Sequence, residues 1–146
     1  SNITKQQIKS PKIYFTEIGL VSYLLGIETE NQANRDPLRG NLFENLIVSE
    51  VLKSRLNENQ NPNIYYMRTA KGVEVDLIVK KEGKLNPFEI KTSMTPHKSF
   101  SRHLLSFVEA EENALKPRIV YTGQSYPQFN GVEYVNYKDL KKYLHD

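Results

Sequence analysis

Apolar and charged residues alternate twice within the span from Gly72 to Ser93. Val75, Leu77 and Val79 interleave with Glu74, Asp76 and Ile78; Phe88 and Ile90 interleave with Glu89 and Lys91. A period of two is that of a strand, in which every second residue shares a face. The span predicts two strands joined by a tight turn at Glu82-Gly83. A two-residue loop there pairs Lys81 with Lys84. Counting back sets Asp76 opposite Glu89 and Glu74 opposite Lys91. A four-residue loop keeps this register, whereas a three-residue loop turns Asp76 to the other face. Directly opposed residues hold their Cβ atoms about 4.5–5.5 Å apart, and like charges at that separation repel. A divalent cation is one way to hold two such carboxylates together. Pro87 is the weak point, because it has no N–H for the ladder and a bulge there would shift the register.

The rest of the chain arranges helices and strands around this hairpin. Lys12-Ile13-Tyr14-Phe15 reads as a short extended lead-in, and Thr16 as the N-cap of a helix whose apolar stripe includes Ile18, Val21, Leu24 and Leu25. Residues 28–37 are polar, contain Asp36-Pro37, and read as a loop. Leu42, Phe43, Leu46, Ile47, Val51 and Leu52 recur at three and four, predicting a helix from about Leu38 to Asn57 with Glu44 flanking its buried stripe. A strand follows at Ile64–Thr69. Beyond the hairpin come a helix from about His97 to Leu115, a strand at Arg118–Thr122, a loop at Gly123–Gly131, a weak edge strand at Val132–Val135 and a closing helix at Tyr137–His145. Strand, helix, strand over this short span is a crossover unit, so the fourth strand should lie parallel to the third. The order predicts an α/β domain: a mixed central sheet flanked by helices.

Composition narrows the chemistry. The chain has 146 residues, 38% apolar and 25% charged, with a net charge of +3. That length suits one domain over residues 12–146, preceded by a polar, frayed stretch at 1–11. Ser1-Asn2 reads as a tag remnant, and the chain as a portion of something longer. Cysteine is absent, which excludes disulfides, thiolate zinc sites and cysteine nucleophiles and fits a reducing, cytoplasmic setting. No apolar run approaches the roughly 20 residues of a membrane helix, none of these residues reads as a signal peptide, and no GxxxxGK[ST] phosphate loop occurs. His97, His103 and His145 show no ligand spacing and read as surface or cap residues. Lys53 and Arg55 read as a solvated helix face, as do Lys138, Lys141 and Lys142. Tyr65 and Tyr66 read as core and sheet face.

Asp76, Glu89 and Lys91, on two adjacent strands behind a helix that carries Glu44, resemble a PD-(D/E)xK domain of the restriction-endonuclease-like fold. The proline of that motif is absent, since Val75 precedes Asp76. Four blocks carry a second resemblance: Gly40-Asn41-Leu42-Phe43-Glu44-Asn45, Tyr65-Tyr66-Met67-Arg68-Thr69, Glu74-Val75-Asp76-Leu77-Ile78 and Phe88-Glu89-Ile90-Lys91. With the lead-in Lys12 to Leu20, they resemble a domain of unknown function found at the C-terminus of prokaryotic P-loop (AAA-superfamily) ATPases. The resemblance implies an N-terminal ATPase module in the natural protein.

What the first resemblance implies is Mg²⁺- or Mn²⁺-dependent hydrolysis of DNA or RNA phosphodiesters. Mg²⁺ accepts one or two carboxylates and keeps several waters. Asp76 and Glu89 would be its ligands, with the Ile90 carbonyl as a third and Glu44 acting through water or a second ion. Lys91 would orient or deprotonate the attacking water, or stabilise the phosphate oxygens. Arg68 and Lys98 are candidates for phosphate contacts in a nucleic-acid partner. The plainer alternative is a set of solvated ion pairs, such as Glu74 with Lys91, in a catalytically silent domain that binds nucleic acid or the ATPase; a dimerisation domain is a third.

Overall fold

The computed structural model describes residues 11–144. The stretch expected to fray lies outside the described residues except for Pro11, and so does His145. The chain runs α1 (Ile18–Leu24), α2 (Glu30–Arg35), α3 (Arg39–Asn57), β1 (Ile64–Arg68), β2 (Glu74–Lys81), β3 (Lys84–Lys91), α4 (Arg102–Ala110), β4 (Arg118–Tyr121), β5 (Tyr126–Phe129) and β6 (Val132–Asn136). Segments of 3-10 helix lie at Lys98–Ser101 and Tyr137–Tyr143. The strands form one mixed sheet in the order β1-β2-β3-β4-β6-β5. This is the mixed α/β architecture that the hydrophobic pattern predicts.

The central hairpin forms in the expected register. Glu82 and Gly83 both have positive φ, 50° and 79°, the type I′ geometry whose twist matches that of the strands. Lys81 pairs with Lys84, and the ladder runs without a shift through Ile78–Pro87 to Leu77–Phe88. Pro87 therefore makes no bulge. In this register its nitrogen points away from β2 toward β4, whose pairing with β3 starts only at Phe88–Arg118. The bulge lies in β2 instead. Tyr65 pairs with Ile78 but Met67 pairs with Val75. Thus β2 advances three residues where β1 advances two, which leaves one extra residue at Asp76-Leu77.

Each face of the sheet carries a core. On one, Ile47, Val48 and Val51 of α3, with Leu140 and Leu144, pack against Leu77, Val79, Phe88, Ile90 and Val120. On the other, Leu104 and Phe107 of α4 pack against Val75, Ile78, Ile119, Val132 and Tyr134. Val75 and Ile78 stand three apart yet share the α4 face. The bulge between them makes this so.

Several elements differ from expectation. Thr16 caps nothing: Glu17 precedes α1, without a side-chain cap. No residue of α1 is buried, and Leu20, Tyr23 and Leu24 are 58%, 73% and 72% exposed. The polar stretch at 28–37 contains α2, started by a capping box in which Thr29 and Gln32 satisfy each other's backbone N–H groups. α4 ends at Ala110, because the Leu85 N–H bonds the Asn113 carbonyl and the Leu115 N–H bonds the Leu85 carbonyl. Those bonds draw the chain alongside β3 and out of the helix. β5 occupies part of the expected loop, and Phe129 pairs with Val132 across Asn130-Gly131. β6 lies between β4 and β5, not at an edge. Arg55 is buried, and its Nε donates to the Asn61 carbonyl at 2.9 Å.

Candidate functional site

The start of β2 and the end of β3 lie at the same end of the sheet, and their pairing stops at Leu77–Phe88. Beyond that point Asp76 wedges between them. Its Oδ2 accepts the Ile90 N–H at 2.9 Å, a donor that a continued ladder would give to a β2 carbonyl. Phe88 and Ile90 belong to the α3-side core, so Glu89 and Lys91, between and after them, face α4. Lys91 Nζ donates to Glu89 Oε1 at 2.6 Å and lies 5.9 Å from the centroid of the Phe100 ring. The other oxygen, Glu89 Oε2, is buried and has no hydrogen-bond partner among the described residues.

A second group of charges lies on the α3 side. Glu44 Oε1 accepts from Lys12 Nζ at 2.9 Å and from the Tyr14 hydroxyl at 2.7 Å. Lys12 Nζ is also 3.1 Å from Glu74 Oε1 and 3.9 Å from Asp76 Oδ1. The lead-in strap that carries Lys12 and Tyr14 is fixed to α3 by Asn45. Its Oδ1 accepts the Phe15 N–H at 2.8 Å and its Nδ2 donates to the Phe15 carbonyl at 2.7 Å. Ser49 Oγ donates to the same carbonyl at 2.9 Å. Asn45 and Ser49 are four apart, one helical turn, so both reach the strap from one side of α3.

The predicted residues are thus brought together in part. Asp76, Glu89 and Lys91 meet at the splayed end of the hairpin. Glu44 reaches the same end from the opposite side but is engaged by Lys12 and Tyr14. Among the described residues, no three Asp, Glu or His side chains stand close enough to hold one metal ion between them, so Glu44, Asp76 and Glu89 do not form a three-carboxylate cage. Glu74 pairs with Lys12 and, at 3.6 Å, with Arg68, not with Lys91, and its backbone N–H donates to His103 Nδ1 at 3.3 Å. Arg68 is exposed at the rim. Lys98 is exposed at the start of a 3-10 segment, and among the described residues it does not join the acidic group. His97 is the cap of that segment, accepting the Ser99 N–H.

Electrostatics bind the two groups into one site. Burial pushes Glu89 up to about 7, and the charge of Asp76 adds to the rise despite the opposing pull of Lys91. Burial also raises Asp76, against the Ile90 N–H and Lys91, which favour its charged form. Burial alone would lower Lys12, but the hydrogen bond and charge of Glu44, then Glu74 and Asp76, outweigh it and raise the ammonium. Lys91 is raised in the same way, burial being overcome by Glu89, Asp76 and Glu44. Burial and the bond to Glu44 push the Tyr14 phenol up. Four carboxylates therefore share two ammonium groups, with Arg68 reaching Glu74 at the rim, and the acids whose proton affinity rises are Asp76 and Glu89.

Lys12, Tyr14 and Asn45 are the site residues that sequence reasoning missed. The one local signal was the alternation of Lys12-Ile13-Tyr14-Phe15, which sets Lys12 and Tyr14 on one face. Nothing local says that this face meets Glu44, 32 positions away.

Fold and site together define a mixed α/β domain with a carboxylate and lysine site where its central hairpin splays. The chain belongs to the family described as a domain of unknown function, DUF4143, whose match spans residues 39–140. An uncharacterised protein of Mycobacterium bovis and one of Mycobacterium tuberculosis are each 37% identical to it over 124 residues, covering 85% of this chain. The aligned part is 26% of each relative, so the chain spans about a quarter of their length. No solved structure matches. No helix among the described residues is long and apolar enough to cross a membrane.

Proposed function

We propose that this domain hydrolyses phosphodiester bonds of DNA or RNA with a bound Mg²⁺ or Mn²⁺, and that it does so joined to an ATPase module. The observation that carries this reading is the pair Asp76 and Glu89. Among the described residues, each keeps one carboxylate oxygen without a hydrogen bond: Glu89 Oε2 is buried and unpartnered, and Asp76 Oδ1 has Lys12 3.9 Å away. Two buried carboxylates with raised proton affinity suit a small dication, which needs no more than one or two of them. When bound, the ion would neutralise charge on the phosphate and lower the pKa of its water. Asp76 and Glu89 would hold it, with the Ile90 N–H fixing Asp76 in place. Lys91, held by Glu89, would orient the attacking water and give positive charge to the phosphate oxygens. Arg68 and Lys98 would contact flanking phosphates, which gives affinity without sequence information. The larger size of the relatives supports the attached module.

A catalytically silent domain that binds nucleic acid or its ATPase is the second reading. It has its own observation: the Lys12 ammonium already sits among Glu44, Glu74 and Asp76. Incubating the chain with supercoiled plasmid and with single-stranded RNA, plus Mg²⁺ or Mn²⁺, separates the two. Hydrolysis should appear and should fall at least about a hundredfold in Asp76→Ala and in Lys91→Ala. Nucleic-acid binding with no cleavage, unchanged by either substitution, would leave the silent domain as the correct account.

A further inference from the structure

We infer that Lys12 is a built-in plug of the cation site, and that the strap from Lys12 to Phe15 must lift before a divalent ion can bind at Asp76. The inference rests on the metal-dependent reading of that site.

The strap has two sides. Its even-numbered residues, Lys12 and Tyr14, turn to the acids. Its odd-numbered residues, Ile13 and Phe15, are 84% and 57% exposed. It is thus held along its even-numbered side, by Glu44 at Lys12 and Tyr14 and by Glu74 and the Tyr66 ring at Lys12, and at the Phe15 backbone by Asn45 and Ser49. Asp76 Oδ2 is engaged by the Ile90 N–H. Oδ1 is the oxygen left for a cation, and among the described residues the nearest cation to it is Lys12 Nζ, 3.9 Å away. An ammonium and a dication at that range repel, and the ammonium also neutralises the charge that would attract the dication. Glu44 and Glu74 hold Lys12 there at 2.9 and 3.1 Å. Their part in the site is to retain the plug, which accounts for two acids outside the pair Asp76 and Glu89.

The test is Mn²⁺ affinity of the 146-residue chain, read from the electron paramagnetic resonance signal of free Mn²⁺. Wild type, Lys12→Met, Lys12→Arg, Asn45→Ala and the double variant Lys12→Met/Asp76→Asn are compared, with circular dichroism to show that each is folded. Lys12→Met should bind at least about tenfold more tightly than wild type, a modest part of the repulsion between charges a few ångströms apart. Lys12→Arg should stay at the wild-type value, because the charge is kept. Asn45→Ala frees the strap without touching an acid and should gain affinity too, so the inference does not depend on one variant. The double variant should lose the gain, which places it at Asp76. Wild-type binding with equal affinity in Lys12→Met overturns the plug and leaves the metal-dependent reading intact. No Mn²⁺ bound by wild type, Lys12→Met or Asn45→Ala at millimolar concentration overturns both.

Discussion

At the scale of single residues, the site is a contest between burial and charge. Glu89 is the clearest case. Its carboxyl is raised from 4.5 to about 7 in the folded protein by burial and by Asp76. Between those values the folded chain binds a proton that the unfolded chain has released. The metal-free protein therefore loses stability as pH rises from about 4.5 to about 7, and keeps it fully below that window. Thermal unfolding from pH 4.5 to 8 should show the loss in wild type and a flatter profile in Glu89→Gln; equal slopes would count against the shift. Asn45 works through geometry. Asn45→Ala leaves the Phe15 N–H without its acceptor and should cost about 1–3 kcal/mol, measured by denaturant unfolding. Asp76, Glu89 and Lys91 were legible in the sequence because alternation and a two-residue turn fix a register. The Asp76–Leu77 bulge was not, since nothing in the local pattern distinguishes a regular strand from one that inserts a residue against β1. Lys12 was hidden for another reason. Its partners lie on α3 and β2, and only packing brings the strap to them.

At the scale of elements, legibility followed how local the cause was. The hairpin β2–β3 rests on a type I′ turn and could be read directly. The same turn at Asn130-Gly131, with φ of 51° and 81°, was open to the same reading, but Pro127 and the polar Gln128 masked β5. The end of α4 was not local at all, because it is set by hydrogen bonds to Leu85. Burial now ranks the elements. Leu104 of α4 is fully buried, and Leu104→Ala should cost about 2–5 kcal/mol in denaturant unfolding. α1 buries no residue, so its amides should exchange with solvent far faster than those of β3 and β4. Slow exchange throughout α1, matching the central strands, would contradict that ranking.

At the scale of the molecule, two cores grip the sheet from both faces, and the carboxylate site opens where the sheet comes apart. Rigid surroundings and a splayed ladder are what allow buried acids to stay in place without full pairing. Arg68 stands at the rim of this opening. If nucleic acid runs across it, Arg68→Ala should weaken binding and lower the slope of log affinity against log salt by about one unit, whatever the sequence of the probe; an unchanged slope would remove Arg68 from the interface. Narrower is the proposal on which this reading rests, a divalent cation at Asp76 and Glu89. Paramagnetic broadening of backbone amide resonances on titration with Mn²⁺ tests it most directly. Asp76, Glu89, Ile90 and Lys91 should broaden first, and Asp76→Asn should abolish the effect. Broadening centred on exposed acids such as Glu58 or Glu109, with the end of the hairpin untouched, would contradict it.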